Sequence, residues 1–130
     1  MSDTSRFEPV SRHVLCVGRH RFLRDHLVRV WKSFGVEADG CVGLEDGCLG
    51  TVYDAVLCDY DLLAELTPQE CADCPTLKGG PIIATSLNHR ADELPVLGLP
   101  GVVGFLYLPV LTREAALAAL DEGQARKTAD

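Results

Sequence analysis

An apolar run, Val52-Tyr53-Asp54-Ala55-Val56-Leu57-Cys58, rises into Asp59-Tyr60-Asp61, so two carboxylates stand just past a segment built for burial. A second run, Pro81-Ile82-Ile83-Ala84-Thr85-Ser86, repeats the design and ends in hydroxyls. Carboxylates anchor hard cations such as magnesium, and hydroxyls hydrogen-bond anionic oxygens. Cys71-Ala72-Asp73-Cys74 has the Cys-x-x-Cys spacing of a redox pair or of half a zinc site. A redox pair of that type opens a helix directly after a strand, whereas Cys71 lies well beyond Cys58. A structural zinc needs four ligands, and Cys41, Cys48 and His89 would have to be brought in by the fold. His13, His20, His26 and His89 show no ligand spacing, and His26 falls on the apolar side of its segment, as a partly buried histidine would. Gly79-Gly80-Pro81 reads as a turn before a strand, and no phosphate-cradling glycine motif is present.

The elements that must position these groups follow from the apolar pattern. Val14 to Val17, closed by Gly18, is a short continuous apolar run that suits a strand buried on both faces. Phe22, Leu23, His26, Leu27, Val30, Trp31 and Phe34 recur at helical spacing, Arg24, Asp25, Arg29 and Lys32 fill the other face, and Gly35 ends the segment. Val36 to Val42 predicts a second strand. Gly40, Gly43, Gly47 and Gly50 make the following segment poor helix material, so the second helix is short or distorted. Val102 to Leu106 predicts a last strand, and Thr112 caps a helix whose Ala115, Ala116, Leu117, Ala119 and Leu120 form the apolar stripe. Strand and helix alternate throughout, which argues for a parallel sheet between helical layers with its site beyond the carboxyl ends of the strands.

The bulk properties bound the function. One hundred and thirty residues suit one domain: a flexible lead over 1–12, a folded body over 13–123 and a polar tail over 124–130. A net charge of −7 opposes a phosphate backbone, so nucleic acid is not the expected partner. No apolar stretch approaches the ~20 residues of a membrane span, and the polar first dozen residues do not read as a signal peptide. The expected location is the cytoplasm, where the six cysteines are thiols, mostly small core residues.

Taken together, the strand ends resemble the receiver domain of bacterial response regulators, over roughly residues 13–123. Tyr53 to Asp59 is the most specific piece: it resembles the third receiver strand, whose terminal aspartate accepts a phosphoryl group, and Asp59 holds that place. Pro81 to Ser86 resembles the fourth strand, with Ser86 at the hydroxyl that bonds the phosphoryl group. Gly101 to Pro109 resembles the fifth, with Phe105 at the switch aromatic. The resemblance implies a flavodoxin-like (βα)5 three-layer sandwich with a five-stranded parallel sheet in the order 2-1-3-4-5, its second and fourth helices short or irregular.

The chain departs from that family at the chemistry. The lysine expected before Pro109 is Leu108, and the magnesium-holding acid pair after the first strand is Gly18 and Arg19. Phosphoryl transfer to a carboxylate needs the incoming charge neutralised. Asp59 cannot build that site alone, and Asp61 is expected in a solvent-facing loop. No cofactor is expected, and magnesium binding is weak or absent. Arg19 either pairs with Asp59 through bidentate hydrogen bonds or points to water.

Receivers signal through the face of their fourth helix, fifth strand and fifth helix. Here Pro95 and Gly98 interrupt the fourth helix. Leu94, Val96, Leu97, Leu99, Tyr107, Ala116 and Leu120 either form a docking surface for a homodimer or a signalling protein or simply cover the sheet. The expected function is that of an atypical receiver-like signalling domain that binds a protein partner without phosphorylation and catalyses nothing. A phosphoacceptor using Asp59 despite its degenerate pocket is the alternative, and a Cys71–Cys74 redox or metal protein the third possibility.

Overall fold

The computed structural model describes residues 12–41, 53–77, 80–95 and 98–129. Five parallel strands, β1 (His13–Val17), β2 (Glu37–Cys41), β3 (Ala55–Asp59), β4 (Ile82–Ser86) and β5 (Val102–Tyr107), form one sheet in the order β2-β1-β3-β4-β5. The helices are α1 (Arg21–Ser33), α2 (Tyr60–Ala64), α3 (Pro68–Asp73) and α4 (Arg113–Ala129). This is the predicted three-layer sandwich with the predicted strand order. The polar end of the chain continues α4 as far as Ala129.

Continuous apolar runs become central strands because both sheet faces are covered. Leu15, Val17, Val56, Cys58, Ile82 and Ala84 face one core, which includes α2 and α3. Val14, Cys16, Ala55, Leu57 and Ile83 face the other, which holds Leu27 and Trp31 of α1 and Ala116 and Leu120 of α4. In β5 the alternation is shifted by an irregularity opposite Ile82 and Ile83, where Val102 and then Gly104 are the partners. The extra residue lets Val103 join the α1–α4 core while Phe105 turns to the opposite one.

The helix ends follow their local chemistry. Gly35 adopts φ +88°, the left-handed conformation that closes a helix cheaply only at glycine. Thr112 caps α4 by accepting the Ala115 N–H at 3.1 Å. Thr67 and Glu70 form a reciprocal capping box around Pro68 at the start of α3.

Two expectations need correction. Phe22 is 87% exposed and His26 is also exposed. The stripe that packs on the sheet is Leu23, Leu27, Trp31 and Phe34, and the row Phe22, His26, Val30 is rotated about 100° from it. The chain after Asp59 is not a loop, because α2 begins at Tyr60 and places Asp61 in its first turn. The expected short second helix falls within residues 42–52, outside the described residues. Between β4 and β5 the described residues contain one 3-10 turn, Ala91–Glu93, in keeping with the irregular fourth helix read from Pro95 and Gly98.

Candidate functional site at the carboxyl ends of the strands

Parallel strands end together, so residues far apart in sequence meet beyond their tips. A cavity of about 180 Å³ lies there. It gathers Gly18 and Arg19 from the tip of β1, Asp59 from β3, Ser86 from β4 and Leu108 after β5. All five pocket positions singled out in the sequence therefore line one space. Phe105 does not line it: the ring is half-buried in the opposite core, edge-on to Tyr60 at a centroid distance of 6.4 Å. The Tyr60 hydroxyl in turn donates to the Pro95 carbonyl at 2.6 Å.

Asp59 is paired in register with Thr85. Partial burial, reinforced by the charge of Asp61, raises its carboxyl above the ordinary aspartate range. The Asp61 backbone N–H and the positive charges of His20 and Arg19 offset only part of that rise. Asp61 also lines the cavity, from the first turn of α2.

Of the two readings of Arg19, the pair with Asp59 is not formed. Its Nη2 donates to Glu65 Oε1 at 2.5 Å, in an ion pair whose two side chains are more than half exposed. Glu65 directly follows α2, which the loop expectation had removed from view. A second guanidinium reaches the site instead. Arg24, assigned by periodicity to the solvent face of α1, lines the cavity and donates from Nη1 to the Gly18 carbonyl at 2.9 Å. Its stem crosses Gly40, where a Cβ would stand 3.3 Å from Arg24 Cγ and Cδ.

Sequence reasoning also missed His20, Thr85 and the 87–89 segment as lining groups. The signal was available, since each lies at or just past a strand's carboxyl end. Leu23 and Leu27 of α1 complete an apolar wall with Leu108 and Cys16. Burial, and secondarily Asp39, pushes the Cys16 thiol up to about 12, so it remains protonated.

Elsewhere, burial raises the Cys71 thiol, with a further rise from Cys74, which is opposite in direction to a redox nucleophile. Cys71 is a buried core residue whose Sγ lies 3.5 Å from the Pro100 carbonyl. Cys48 lies outside the described residues. Among the described residues no cluster of three His, Cys, Asp or Glu side chains is arranged to hold a metal.

Burial decides between the two readings of the apolar face for three of its residues. Ala116 and Leu120 are 0% and 1% exposed, and Leu99 is likewise buried, so these residues cover the sheet. Leu94 packs partly against the core, and Arg90 lies 4.7 Å over the Tyr107 ring. Val96 and Leu97 lie outside the described residues. What stays open on this side is a hollow of about 200 Å³ between β5 and α4, lined by Val103, Phe105 and small alanines such as Ala115 and Ala119.

No protein-family model and no curated protein matches the chain. Solved structures do. A response regulator receiver domain from Methylobacillus flagellatus aligns with TM-score 0.62 at 20% identity, covering 85% of this chain and 98% of that one. The fold is that of a response-regulator receiver domain. The receiver domain of a sensor histidine kinase from Pseudomonas aeruginosa PAO1, with a magnesium ion coordinated in its active-site cleft, aligns with TM-score 0.62 at 20% identity over 88% of this chain and 98% of that one. A chemotaxis protein from Vibrio cholerae gives TM-score 0.55 at 14% identity over 88% and 99%. On this receiver fold, the carboxylate and hydroxyl tips of β3 and β4 stand opposite a β1 tip without carboxylates and a β5 end without lysine. No described helix is long and apolar enough to cross a membrane.

Proposed function

We propose that this receiver-fold domain belongs to two-component-type signalling and works by binding a protein partner, without phosphorylation and without catalysis of its own. The observation that carries this reading is the composition of the cavity around Asp59. Gly18, Arg19 and Leu108 line it, at the positions where the receiver resemblance expects a magnesium-holding acid pair and a phosphate-contacting lysine. A dianionic phosphoryl group entering here would meet Asp59 and Asp61 without a metal anchor or a lysine, and the two guanidiniums of the lining are engaged elsewhere, Arg19 by Glu65 and Arg24 by the Gly18 carbonyl.

The rim of the same end supports a binding role. The large apolar side chains most exposed among the described residues are Phe22, Leu87 and Val110. They follow the tips of β1, β4 and β5 respectively, and so share the carboxyl edge of the sheet. Exposed aromatic and aliphatic anchors beside charged groups are the composition of a protein interface.

Titration with beryllofluoride and magnesium, followed by amide NMR, tests the reading. A flat response is expected. Saturable shifts at Asp59, Ser86 and Phe105 would establish the phosphoacceptor alternative instead.

A further inference from the structure

The cations of this acidic chain are unevenly placed. Of its 12 Lys and Arg residues, Arg19, Arg21, Arg24, Arg29 and Lys32 fall within or just before α1, whereas Asp25 alone of the 19 acidic residues falls among them. The segment is positive in a chain whose total is −7, so the remainder carries the negative excess. Arg19 is engaged by Glu65, and Arg24 reaches back to the Gly18 carbonyl. The other three cations lie on the outer face of the helix.

Packing decides which face that is. Leu27 and Trp31 are buried against the sheet, and at about 100° per residue the opposite arc carries two adjacent rows. Phe22, His26 and Arg29 follow one another at i, i+4 and i+7, with Arg21, Asp25 and Lys32 beside them. Arg21, Phe22, His26, Arg29 and Lys32 are all exposed, Phe22 by 87%. Arg21 approaches Asp25 only to 3.8 Å. Arg29 and Lys32 make no ion pair or side-chain hydrogen bond among the described residues. On neighbouring elements, Glu65 and Asp39 are held by Arg19 and His13. The outer face of α1 therefore sets three cations around one aromatic ring, with one acid among them.

Charge complementarity selects the occupant. Guanidinium forks bind carboxylates in a bidentate manner, and an exposed aromatic flanked by arginines has the composition of an interface hot spot. A bilayer is the poorer fit, because interfacial helices insert an apolar face, and that of α1 lies on the sheet. A nucleic acid would set its dense phosphate charge against the negative remainder of the chain.

Resting on the reading of a phosphorylation-independent, partner-binding domain, we infer that the outer face of α1 is the docking surface for an acidic protein segment. Its carboxylates pair with Arg21, Arg29 and Lys32, and an apolar side chain covers Phe22. From Arg21 to Lys32 the helix advances about 16 Å, a length spanned by about five extended residues or three helical turns. Phe22 already belongs to the rim at the carboxyl edge of the sheet, and α1 prolongs that rim into a charged track.

The test is an amide NMR titration of the whole chain with the capped peptide acetyl-Glu-Glu-Leu-Glu-Glu-Leu-Glu-Glu-amide, and with the same peptide carrying Gln at every Glu as control. The acidic peptide should give saturable shifts at Arg21, Phe22, His26, Arg29 and Lys32, and bind at least about tenfold more tightly than the control. The difference should largely vanish at ~1 M salt. Arg29→Glu should weaken binding by about tenfold and Phe22→Ala by about fivefold. Arg113→Glu, the same charge change at an exposed position of α4, should leave it within about twofold. Absence of saturable shifts on α1, equal binding of the Gln peptide, or an Arg113→Glu effect as large as that of Arg29→Glu would overturn the inference. So would co-sedimentation of the chain with phosphatidylglycerol vesicles, lost in Phe22→Ala, without peptide binding, which would assign the face to a membrane. A flat beryllofluoride response with no peptide binding removes this docking surface and keeps the reading of a partner-binding domain, whereas a positive response removes that reading itself.

Discussion

The two halves of the strand-end cavity differ in what they retain. The β3 and β4 tips present a carboxylate and two hydroxyls, Asp59, Thr85 and Ser86, held side by side by sheet register. The β1 tip and the segment after β5 present Gly18, Arg19 and Leu108. The backbone that would carry the missing groups is intact: β1 still pairs with both neighbours through Val17, and Leu108 still lines the cavity. The difference is therefore one of side chains on a preserved scaffold, which means that it can be reversed experimentally.

Reversal should give the largest effect. A Cβ added at Gly18 meets nothing within 4 Å, and Gly18 lies outside the left-handed region, so an acid there has room and no backbone strain. The triple variant Gly18→Asp, Arg19→Asp, Leu108→Lys restores an acid pair and an ammonium beside Asp59. Each charge-assisted contact contributes about 1.5–3 kcal/mol. Magnesium-dependent beryllofluoride binding should thus rise by about 100-fold or more over the wild type in the same NMR titration. If the triple variant folds natively and remains unresponsive, the side-chain account of the two halves is wrong.

The retained half predicts a pH effect of known sign. Asp59 is raised in the folded state by burial and by Asp61. A carboxyl with a raised folded-state pKa favours folding while protonated, below its unfolded pKa, and that contribution is lost as pH rises through the folded value. At neutral pH its charge therefore destabilises the fold. Asp59→Asn should melt about 2 °C higher at pH 7, a small gain because the carboxylate is about half solvated. The gap should close as the pH falls below the ordinary aspartate range, and a gap that widens in acid would refute the assignment.

Legibility in the sequence divides along similar lines. Strand identity was plain because β1, β3 and β4 are apolar on both faces, and the tip residues Asp59 and Ser86 followed once those runs were delimited. The helical partners were less visible. Phe22 and His26 lie one row off the packing stripe of α1, and a row displaced by about 100° looks apolar in a pattern that does not say which face the sheet takes. Arg24 was placed on the solvent face for the complementary reason, although the first turn of α1 leans over the site. Ala116 and Leu120 read equally well as surface or core, and only packing decides between them. The partner of Arg19 could not be read, because Glu65 enters the site through a helix that begins directly after Asp59, where sequence suggests a loop.

That mispairing yields the smallest effect and the sharpest contrast between the halves. Had Arg19 neutralised a buried Asp59, its removal would leave a charge uncompensated and cost several kcal/mol. Its ion pair is instead with Glu65, and both side chains are largely in water. Pairs of this kind contribute about 0–1 kcal/mol and are screened by salt. Arg19→Ala should accordingly leave the midpoint of a denaturant melt almost unchanged. The residual difference should shrink between low salt and ~1 M salt, where the Debye length falls to about 3 Å. A loss of several kcal/mol that persists at high salt would mean that Arg19 belongs with Asp59 after all, and that the β1 half holds a working counter-charge.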